Sequence, residues 1–351
     1  MKKIHVSASR GYDILIGRNL LTDAGYYLKQ VLSPKRVCVV SDDVVFPLYG
    51  ENVVSSLEGA GFSVVTFVFP HGEPQKNLST VSELFDFLVK EGFTRTDVLV
   101  ALGGGVVGDL TGFAAACYLR GVKFVQIPTT FLAQIDSSVG GKTGVDIPGG
   151  KNLVGAFWQP SLVLCDIATL STLSPDIFAD GTAEAIKYGL IYDADLFDVF
   201  RNHLLEEHLF DVVYRCIEIK KQVVEEDEFD TGLRMILNFG HTLGHAIEKS
   251  YHFTGITHGR AVAVGMVLIS DACAKNGLLS ISDAEAIRST IQSHGLPVSV
   301  PLETGSLCAL CGSDKKMDGD TLNLIILEDI GHAAVRKMSL AGLQEFMGNE
   351  G

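Results

Sequence analysis

Short apolar runs that alternate with helical segments over the first 170 residues constrain the fold of this chain more than any other feature. Runs typical of buried strands occur at 36–42, 64–69, 97–102 and 124–128, and apolar residues at helical spacing occupy 81–89. Strands that alternate with helices favour a doubly wound, mostly parallel sheet of the Rossmann-like α/β class. In such sheets, ligands bind beyond the carboxyl ends of the strands.

The character of the sequence changes after about residue 170. From Pro175 to about Gln292 the segments are long and helical in period, and Ser174-Pro175 is typical of a helix start. We therefore predict an α/β domain over 1–170 and an all-α domain over 171–351. Since no flexible linker separates them, we expect the two domains to pack closely and to form a cleft.

The chain is acidic, with 28 Lys and Arg against 42 Asp and Glu and a formal net charge of −14. This charge excludes a general nucleic-acid-binding protein, because an acidic surface repels phosphate backbones. An anionic ligand therefore needs a local group of basic residues. The longest apolar run, Ala261 to Ile269, is far below the ~20 residues of a membrane span. Seven scattered cysteines predict free thiols and a cytoplasmic location.

A glycine-rich turn follows the third predicted strand. Gly103, Gly105 and Gly108 form the pattern G-x-G-x-x-G before a helical run, which predicts a turn that binds a pyrophosphate at a helix N-terminus. Dinucleotide sites usually carry an acidic residue about 20 residues later. Here the next strand ends in Gln-Ile-Pro-Thr-Thr instead, so the acid would have to come from Asp42 at the end of an earlier strand. A turn that only packs against its neighbours remains the alternative.

Histidines at helical spacing indicate a possible metal site. His241 and His245 lie four residues apart and therefore on one helical face. The residue after His241 is Thr rather than the Glu of zinc metalloproteases, which excludes that class. With Glu184 and His258 the chain offers two histidines and a carboxylate, a set that suits a catalytic zinc ion with an open fourth position. From the spacing alone, structural histidines are an equally good interpretation.

Basic residues are set into this acidic chain beside glycines or within apolar runs, where a merely solvated charge is not expected. Lys142 and Lys151 each follow a Gly-Gly pair, and Lys187 shares a helical face with Glu184. The remaining members of the set are Arg120, Lys220, Arg234 and the pair Lys315-Lys316.

Six sequence blocks in a fixed order resemble the 3-dehydroquinate synthase family of the sugar phosphate cyclase superfamily. They are GGGVVGDLTGFAAACYLRG, IPTTFLAQIDSSVGGKTGVD, GGKNLVGAFWQP, AEAIKYG, LNFGHTLGHAIE and the triplet Asp314-Lys315-Lys316. The resemblance runs from about Tyr12 to Leu327. It implies an NAD-binding α/β domain, a helical domain that carries the metal, and a cytoplasmic homodimer in which Arg120 reaches into the neighbouring site.

The resemblance also assigns roles residue by residue. The metal ligands would be Glu184, His241 and His258, which would hold Zn²⁺ or, in its place, Co²⁺. The residues that would contact NAD are Asp42, Glu73, Lys76, Gly104, Gly105, Val106, Asp109, Thr129, Thr130, Lys142, Lys151, Thr169 and Thr172. The residues that would contact the substrate are Arg120, Asp136, Lys142, Lys151, Asn152, Lys187, Lys220, Arg234, Asn238, His245 and either Lys315 or Lys316.

The implied reaction converts 3-deoxy-D-arabino-heptulosonate 7-phosphate into 3-dehydroquinate and phosphate. It proceeds by transient oxidation by NAD, β-elimination of phosphate, re-reduction, ring opening and an intramolecular aldol closure. Lys151, Asn152 and Lys220 would bind the phosphate group, and the planar fork of Arg234 suits the carboxylate. His245, one helical turn from His241, would move a proton near the oxidised hydroxyl.

One departure from the family pattern follows the last metal ligand. The family usually has His-Gly-Glu, whereas this chain has His258-Gly259-Arg260. An acid at that position can orient a ligand, while a cation close to the metal disfavours binding unless it points away. We therefore predict weaker zinc retention than is usual in the family.

Three other functions are compatible with parts of the pattern. Related cyclases form 2-deoxy-scyllo-inosose or 2-epi-5-epi-valiolone, but a neutral substrate offers no anion to Arg234 and Asn238. A metal-dependent polyol dehydrogenase of the glycerol dehydrogenase type shares the architecture, but the basic set argues against it. A catalytically silent NAD-binding protein is opposed by the complete set Glu184, His241 and His258.

Overall fold

The structure is a computed structural model that describes residues 1–252, 254–311 and 321–348. Lys315 and Lys316, which the resemblance places at the substrate, lie outside the described residues. The contacts divide the chain into two compact units. Unit 1 comprises Met1–Leu173 and Lys220–Phe229, and unit 2 comprises Ser174–Ile219 and Asp230–Gly351.

The strands predicted from apolar runs are present in unit 1, together with strands that the sequence analysis does not predict. The strands of unit 1 are β1 (Lys2–Val6), β2 (Tyr12–Gly17), β3 (Arg36–Asp42), β4 (Ser63–Phe69), β5 (Val98–Gly103), β6 (Lys123–Pro128), β7 (Lys142–Ile147), β8 (Gly150–Phe157) and β9 (Leu162–Asp166). The helices that lie entirely within unit 1 are α1 (Ala24–Val31), α2 (Glu51–Gly59), α3 (Leu78–Lys90) and α4 (Gly105–Cys117).

Seven strands of unit 1 form one sheet in the order β1-β2-β9-β6-β5-β3-β4. Only the β1–β2 pair at one edge is antiparallel among these neighbours, and β7 and β8 form a separate antiparallel hairpin. Along β3, Val37 and Val39 pack with one apolar cluster, while Cys38 and Val40 pack with another on the opposite face. Helices therefore cover both faces, and the predicted doubly wound α/β class is confirmed.

The parallel register brings the ends of three strands to one edge of this sheet. Ser41 lies opposite Leu102 in the β3–β5 pair, and Gly103 lies opposite Pro128 in the β5–β6 pair. The glycine turn after β5 and the threonines after β6 therefore emerge side by side, at the edge where ligands of such sheets bind.

Unit 2 is mainly helical, as predicted, but its described residues include an antiparallel hairpin that the predicted all-α domain did not contain. Its elements are α5 (Pro175–Tyr192), α6 (Ala194–Asn202), the first part of α7 (Leu205–Glu226), α8 (His241–Ser250), α9 (His258–Lys275), α10 (Ile281–Ser293), α11 (Thr304–Cys311), β10 (Thr321–Asp329), β11 (His332–Ser339) and α12 (Leu340–Phe346). Within the described residues, no helix is long and apolar enough to cross a membrane.

The first crossing between the units lies after Leu173, close to the predicted boundary at about residue 170. The observed division differs from the predicted one at a later segment. Helix α7 is continuous, but its last turns and the residues that follow, Lys220–Phe229, belong to unit 1. Helical periodicity assigns this segment to the helical domain because it identifies a helix without identifying what that helix packs against.

Small residues let α8 and α9 approach closely in unit 2. A Cβ atom on Gly265 would lie well inside van der Waals distance of the Gly240 carbonyl oxygen, and one on Gly244 would lie 3.2 Å from the Val262 Cα. Because α8 and α9 begin with His241 and His258, this close packing fixes the separation of the two histidines.

We expect Gly265→Ala to lower the free energy of unfolding by about 1–3 kcal/mol, because the added methyl group meets backbone that cannot move aside. Gly342→Ala is the matched control in the same unit, since its added Cβ would lie 3.4 Å from the nearest atom, the Ser339 Oγ. Urea unfolding measures both variants. Equal unfolding midpoints would show that the α8–α9 approach is not tight.

Candidate metal centre and nucleotide site

Three side chains of unit 2 converge on one point. Glu184 lies in the middle of α5 and is fully buried, whereas His241 and His258 are the first residues of α8 and α9. The Glu184 Oε1 lies 3.3 Å from the His241 Nε2 and 3.5 Å from the His258 Nε2. One ligand atom from each residue lies within 4.8 Å of the others. Two imidazole nitrogens and a carboxylate oxygen so arranged are the donor set of a zinc or cobalt site.

The local backbone explains why His241 can reach this point. The preceding Gly240 has φ +78°, in the left-handed region, and a Cβ there would lie 2.6 Å from the Met266 Cγ. The His241 Nδ1 lies 3.1 Å from the carbonyl oxygen of Phe239, which can only accept a hydrogen bond. The Nδ1 must therefore carry the proton, and this leaves the Nε2 lone pair directed toward Glu184.

The three residues carry different charges at neutral pH. Burial tends to raise the pKa of Glu184, but Lys187 and His241 outweigh it and hold that pKa well below its usual range. Burial lowers the pKa of His241 to about 4, against the opposing effect of Glu184. Burial also tends to lower the pKa of His258, but Glu184 and Glu248 raise it to about 10. At neutral pH the set therefore contains an ionised carboxylate, a neutral His241 and a protonated His258, whose proton a bound metal ion would displace.

Glu248 is a residue of this centre that the sequence analysis missed. Its side chain is buried, and its Oε2 lies 3.3 Å from the His258 Nδ1. The pair leaves the His258 Nε2 to face Glu184, which is how an outer carboxylate orients a metal-binding imidazole. A signal was present in the sequence, because His241, His245 and Glu248 lie at positions i, i+4 and i+7 of one helical face.

His245 lies beside the metal set, as its spacing predicts. Its ring centroid is 5.6 Å from that of His241 and 6.1 Å from that of His258. His245, Glu248 and His258 form a second group whose ligand atoms lie within 4.8 Å of one another. The position fits a group that exchanges a proton with a substrate hydroxyl at this centre, and the role of His245 stays a prediction.

Arg260 has a partner away from the three ligands. Its Nη2 donates a hydrogen bond to the Asp176 Oδ1 at 2.7 Å, in the first turn of α5. The Asp176 carboxylate offsets part of the positive charge of Arg260. Although this chain lacks the Glu of the His-Gly-Glu pattern, Glu248 provides a carboxylate beside His258. Arg260 is therefore a weaker reason for poor zinc retention than the sequence alone indicates.

Other predicted substrate residues of unit 2 lie close along the chain to the metal set. The Lys187 side chain is 1% exposed and forms an ion pair with Glu184. Arg234 and Asn238 lie on the 3-10 turn Leu233–Asn238 that precedes α8, and Arg234 is buried.

We expect Glu248→Gln to weaken zinc affinity by about tenfold to a hundredfold, because an outer ligand partner is weakened while all three metal ligands remain. Arg260→Gln is the control, and we expect it to change the affinity by less than about threefold, as befits a partly exposed ion pair. Competition of the metal-free protein with a zinc-binding dye measures both. An equal loss in the two variants would contradict the orienting role of Glu248.

The glycine turn of unit 1 has the geometry of an anion-binding turn. Gly104 is the N-cap of α4 and has no side chain with which to cap the N–H groups of the first turn. A Cβ on Gly104 would lie 3.0 Å from the Thr130 Cγ2, and one on Gly108 would lie 2.8 Å from the Gln126 Oε1, so glycine allows close packing at both positions. Gly104 and Gly105 are partly exposed at the helix N-terminus, where a pyrophosphate binds in dinucleotide sites.

A buried cluster of charges lies beside this turn. The Lys76 Nζ donates to the Asp109 Oδ2 and to the Asn152 Oδ1, both at 2.6 Å. Burial tends to lower the pKa of Lys76, but the carboxylates of Asp109, Glu73 and Asp146 together raise it, so Lys76 is protonated at neutral pH. Asn152 itself has φ +52°, and its backbone N–H donates to the Asp146 Oδ1 at 2.7 Å. Because Lys76 contacts both Asn152 in β8 and Asp109 in α4, it links the β7–β8 hairpin to that helix.

The remaining predicted residues of unit 1 fall into three groups. Asp42 caps the turn after β3 by accepting from the Val44 and Val45 N–H groups. The Lys220 Nζ donates to the Asp136 carbonyl oxygen at 2.6 Å and to its Oδ1 at 2.5 Å. Among the other predicted residues, Thr129 and Thr169 are buried, whereas Lys142 and Arg120 are exposed. The Thr172 Oγ1 lies 2.6 Å from the Tyr49 hydroxyl, and the Lys151 Nζ lies 4.0 Å from the Glu73 Oε1.

Comparison with protein families yields two adjoining matches. A model described as "3-dehydroquinate synthase N-terminal" matches residues 66–180, and a model described as "3-dehydroquinate synthase C-terminal" matches residues 181–317. Among curated proteins, the 3-dehydroquinate synthase of Streptococcus suis is 45% identical over 342 residues, which are 96% of this chain and 96% of that protein.

Solved structures with related folds include two sugar phosphate cyclases. A 2-deoxy-scyllo-inosose synthase complexed with carbaglucose-6-phosphate, NAD⁺ and Co²⁺ matches with a TM-score of 0.88 and 28% identity over 100% of both chains. The 2-epi-5-epi-valiolone synthase of Streptomyces hygroscopicus subsp. jinggangensis, with NAD⁺ and Zn²⁺ bound, matches with a TM-score of 0.86 and 29% identity over 98% of both chains.

Proposed function

The chain belongs to the 3-dehydroquinate synthase family, and we propose that NAD and a divalent metal ion bound by its own residues support the family's reaction. It is an enzyme that converts 3-deoxy-D-arabino-heptulosonate 7-phosphate into 3-dehydroquinate and phosphate. The observation that carries the proposal is the convergence of Glu184, His241 and His258 on one point in unit 2.

The donor atoms present suit both groups. Glu184, His241 and His258 would hold Zn²⁺ or Co²⁺, and the partly exposed backbone at Gly104 and Gly105 would hold the NAD pyrophosphate. When bound, the metal supplies Lewis acidity toward the substrate hydroxyls, and NAD supplies reversible hydride acceptance. The further residues proposed to contact NAD are Asp42, Glu73, Lys76, Val106, Asp109, Thr129, Thr130, Lys142, Lys151, Thr169 and Thr172.

The chain's own residues bind and orient the substrate in this proposal. Lys151, Asn152 and Lys220 would bind the phosphate group, since charge-assisted hydrogen bonds to an anion are the strongest that side chains offer. Arg234 would bind the carboxylate through its planar fork. His245 would accept the proton of the substrate hydroxyl that is oxidised and return it later. Other proposed substrate contacts are Arg120, Asp136, Lys142, Lys187, Asn238 and either Lys315 or Lys316.

The assembly and location are proposals as well. We infer a homodimer in the cytoplasm, with Arg120 of one subunit directed to the site of the other. Arg120 is exposed and has φ +64°, directly after Leu119 with φ +50°. Two successive left-handed residues cost free energy, and presentation of Arg120 to a second subunit would explain why the chain retains this conformation.

We expect the purified protein to release phosphate from 3-deoxy-D-arabino-heptulosonate 7-phosphate without accumulation of NADH, because the hydride is returned in each turnover. A chelator should abolish the release, and added Zn²⁺ or Co²⁺ should restore it. A coupled phosphate assay and absorbance at the NADH wavelength measure the two quantities. Stoichiometric NADH formation would instead indicate a polyol dehydrogenase, and phosphate release that survives the chelator would contradict the metal site.

We expect Arg234→Gln to lower kcat/KM for the carboxylated substrate by about a hundredfold, because charge-assisted hydrogen bonds worth about 1.5–3 kcal/mol are lost. Arg234→Lys, which keeps the charge, should recover part of the loss. Arg215→Gln is the control, since Arg215 pairs with Asp193 in the half-buried α6–α7 region. If the Arg234 variants retain full activity on this substrate, or gain activity on glucose 6-phosphate, the carboxylate assignment is wrong.

A further inference from the structure

We propose that Glu228 and Ser9 are positioning residues that hold Lys220 in place for the phosphate group of the substrate. This inference rests on the proposed function, because that function assigns Lys220 to the phosphate. It goes beyond the function because neither Glu228 nor Ser9 belongs to any motif of the candidate site.

The position of Lys220 depends on the end of α7. Its side chain is 7% exposed, and its Nζ is held by the Asp136 carbonyl oxygen and carboxylate. Lys220 is the first residue of the segment Lys220–Phe229 that belongs to unit 1, while the rest of α7 belongs to unit 2. A long cationic side chain buried in this way can present its ammonium group at one place only if its helix is fixed.

The loop between β1 and β2 fixes that end of the helix. The Ser9 N–H donates to the Glu228 Oε2 at 2.8 Å, and the Ser9 hydroxyl donates to the Glu228 Oε1 at 2.6 Å. Closer to Lys220 along the chain, the Ser7 N–H donates to the Glu225 Oε1 at 2.6 Å. These hydrogen bonds to carboxylates are charge-assisted and therefore among the stronger ones that a protein makes.

A second contact of Glu228 ties the same corner to the β8–β9 connection. The Gln159 Nε2 donates to the Glu228 Oε1 at 2.8 Å, and the Phe229 ring packs edge-on against Phe157 at 5.3 Å. Next to Gln159, the Trp158 ring lies 3.9 Å from the guanidinium of Arg10, the residue after Ser9. The Glu228 carboxylate thus accepts three hydrogen bonds from two segments of unit 1 that are far apart in the sequence.

The geometry connects this anchor to Lys220 through the helix backbone. Glu225 and Lys220 are five residues apart, so about 7–8 Å of helix separates them at a rise of ~1.5 Å per residue. Glu225 also lies 3.3 Å from Lys221, the neighbour of Lys220. Release of the helix end would let the Lys220 ammonium group move, and a misplacement of about 1 Å can reduce the rate severely.

The test compares Glu228→Ala with Glu226→Ala in the full-length enzyme. Glu226 is exposed at the last position of α7, two residues before Glu228, and undergoes the same change of charge. We expect Glu228→Ala to raise KM for the sugar phosphate and the dissociation constant for inorganic phosphate by about tenfold, with a small change in kcat. Glu226→Ala should change neither. Calorimetric titration with inorganic phosphate gives a readout that does not depend on turnover.

A double-mutant cycle with Lys220→Ala separates positioning from general stability. If Glu228 acts through Lys220, Glu228→Ala has no further effect on phosphate binding once Lys220→Ala is present. An undiminished effect in that background, or equal effects of Glu226→Ala and Glu228→Ala, would overturn the proposal.

Ser9→Ala keeps the test informative if Glu228→Ala does not fold. It removes one of the three hydrogen bonds, and we expect a weaker change in the same direction, about threefold in the phosphate dissociation constant. Unchanged phosphate binding in folded Ser9→Ala would count against the anchor. Failure of the wild-type enzyme to release phosphate from the sugar phosphate would reject the proposed function alone, because the phosphate titrations still decide whether Glu228 positions Lys220.

Discussion

A carboxylate removed from water is the constraint on which the functional part of unit 2 depends. Glu184 is 0% exposed in the middle of α5, and an isolated buried charge costs several kcal/mol. Lys187 offsets part of that cost from the next turn of the same helix, and His241 and His258 face the carboxylate from two other helices. The arrangement that packs α5, α8 and α9 together therefore also provides Glu184 with its polar partners. Two imidazole nitrogens and a carboxylate oxygen at this spacing are suitable ligands for a divalent cation.

The candidate nucleotide site of unit 1 depends on backbone geometry more than on side-chain charge. The parallel register aligns the ends of β5 and β6, and the glycines that follow β5 are partly exposed at the start of α4. Lys76 lies between Asp109, on α4, and Asn152. A cofactor pyrophosphate bound at this turn would interact with the peptide dipoles at the helix N-terminus.

Many of the strands and the candidate metal ligands could be predicted from the sequence. The features that could not be predicted have identifiable physical reasons. The strands at 36–42 and 124–128 were predicted because buried parallel strands are continuous apolar runs. The edge pair β1–β2 was missed because its residues do not form such a run. Spacing placed His241 and His245 on one helical face and suggested a metal set with Glu184 and His258, but left structural histidines as an equal interpretation. The resemblance then assigned Glu184, His241 and His258 as the ligands.

Contacts between residues distant in the sequence account for what the sequence did not predict. Glu248 lies on the face of His241 and His245, yet its role depends on the position of His258 on another helix. The assignment of Lys220–Phe229 to unit 1 depends on the loop at Ser9, more than 200 residues earlier. Periodicity contains no information about such partners, because it reports only which face of a helix is buried.

The path of α7 makes the two halves of this protein inseparable as genetic modules. The chain passes from unit 1 to unit 2 after Leu173, returns at Lys220 and leaves again after Phe229. A gene fragment that stops at Leu173 would encode an α/β unit that lacks ten of its own residues, including the partners of Ser7, Ser9 and Gln159. Recombination between related enzymes after Leu173 would combine the loop at Ser9 from one enzyme with the end of α7 from another. Natural variation in substrate choice is therefore expected to arise by point substitution within one gene rather than by exchange of whole domains.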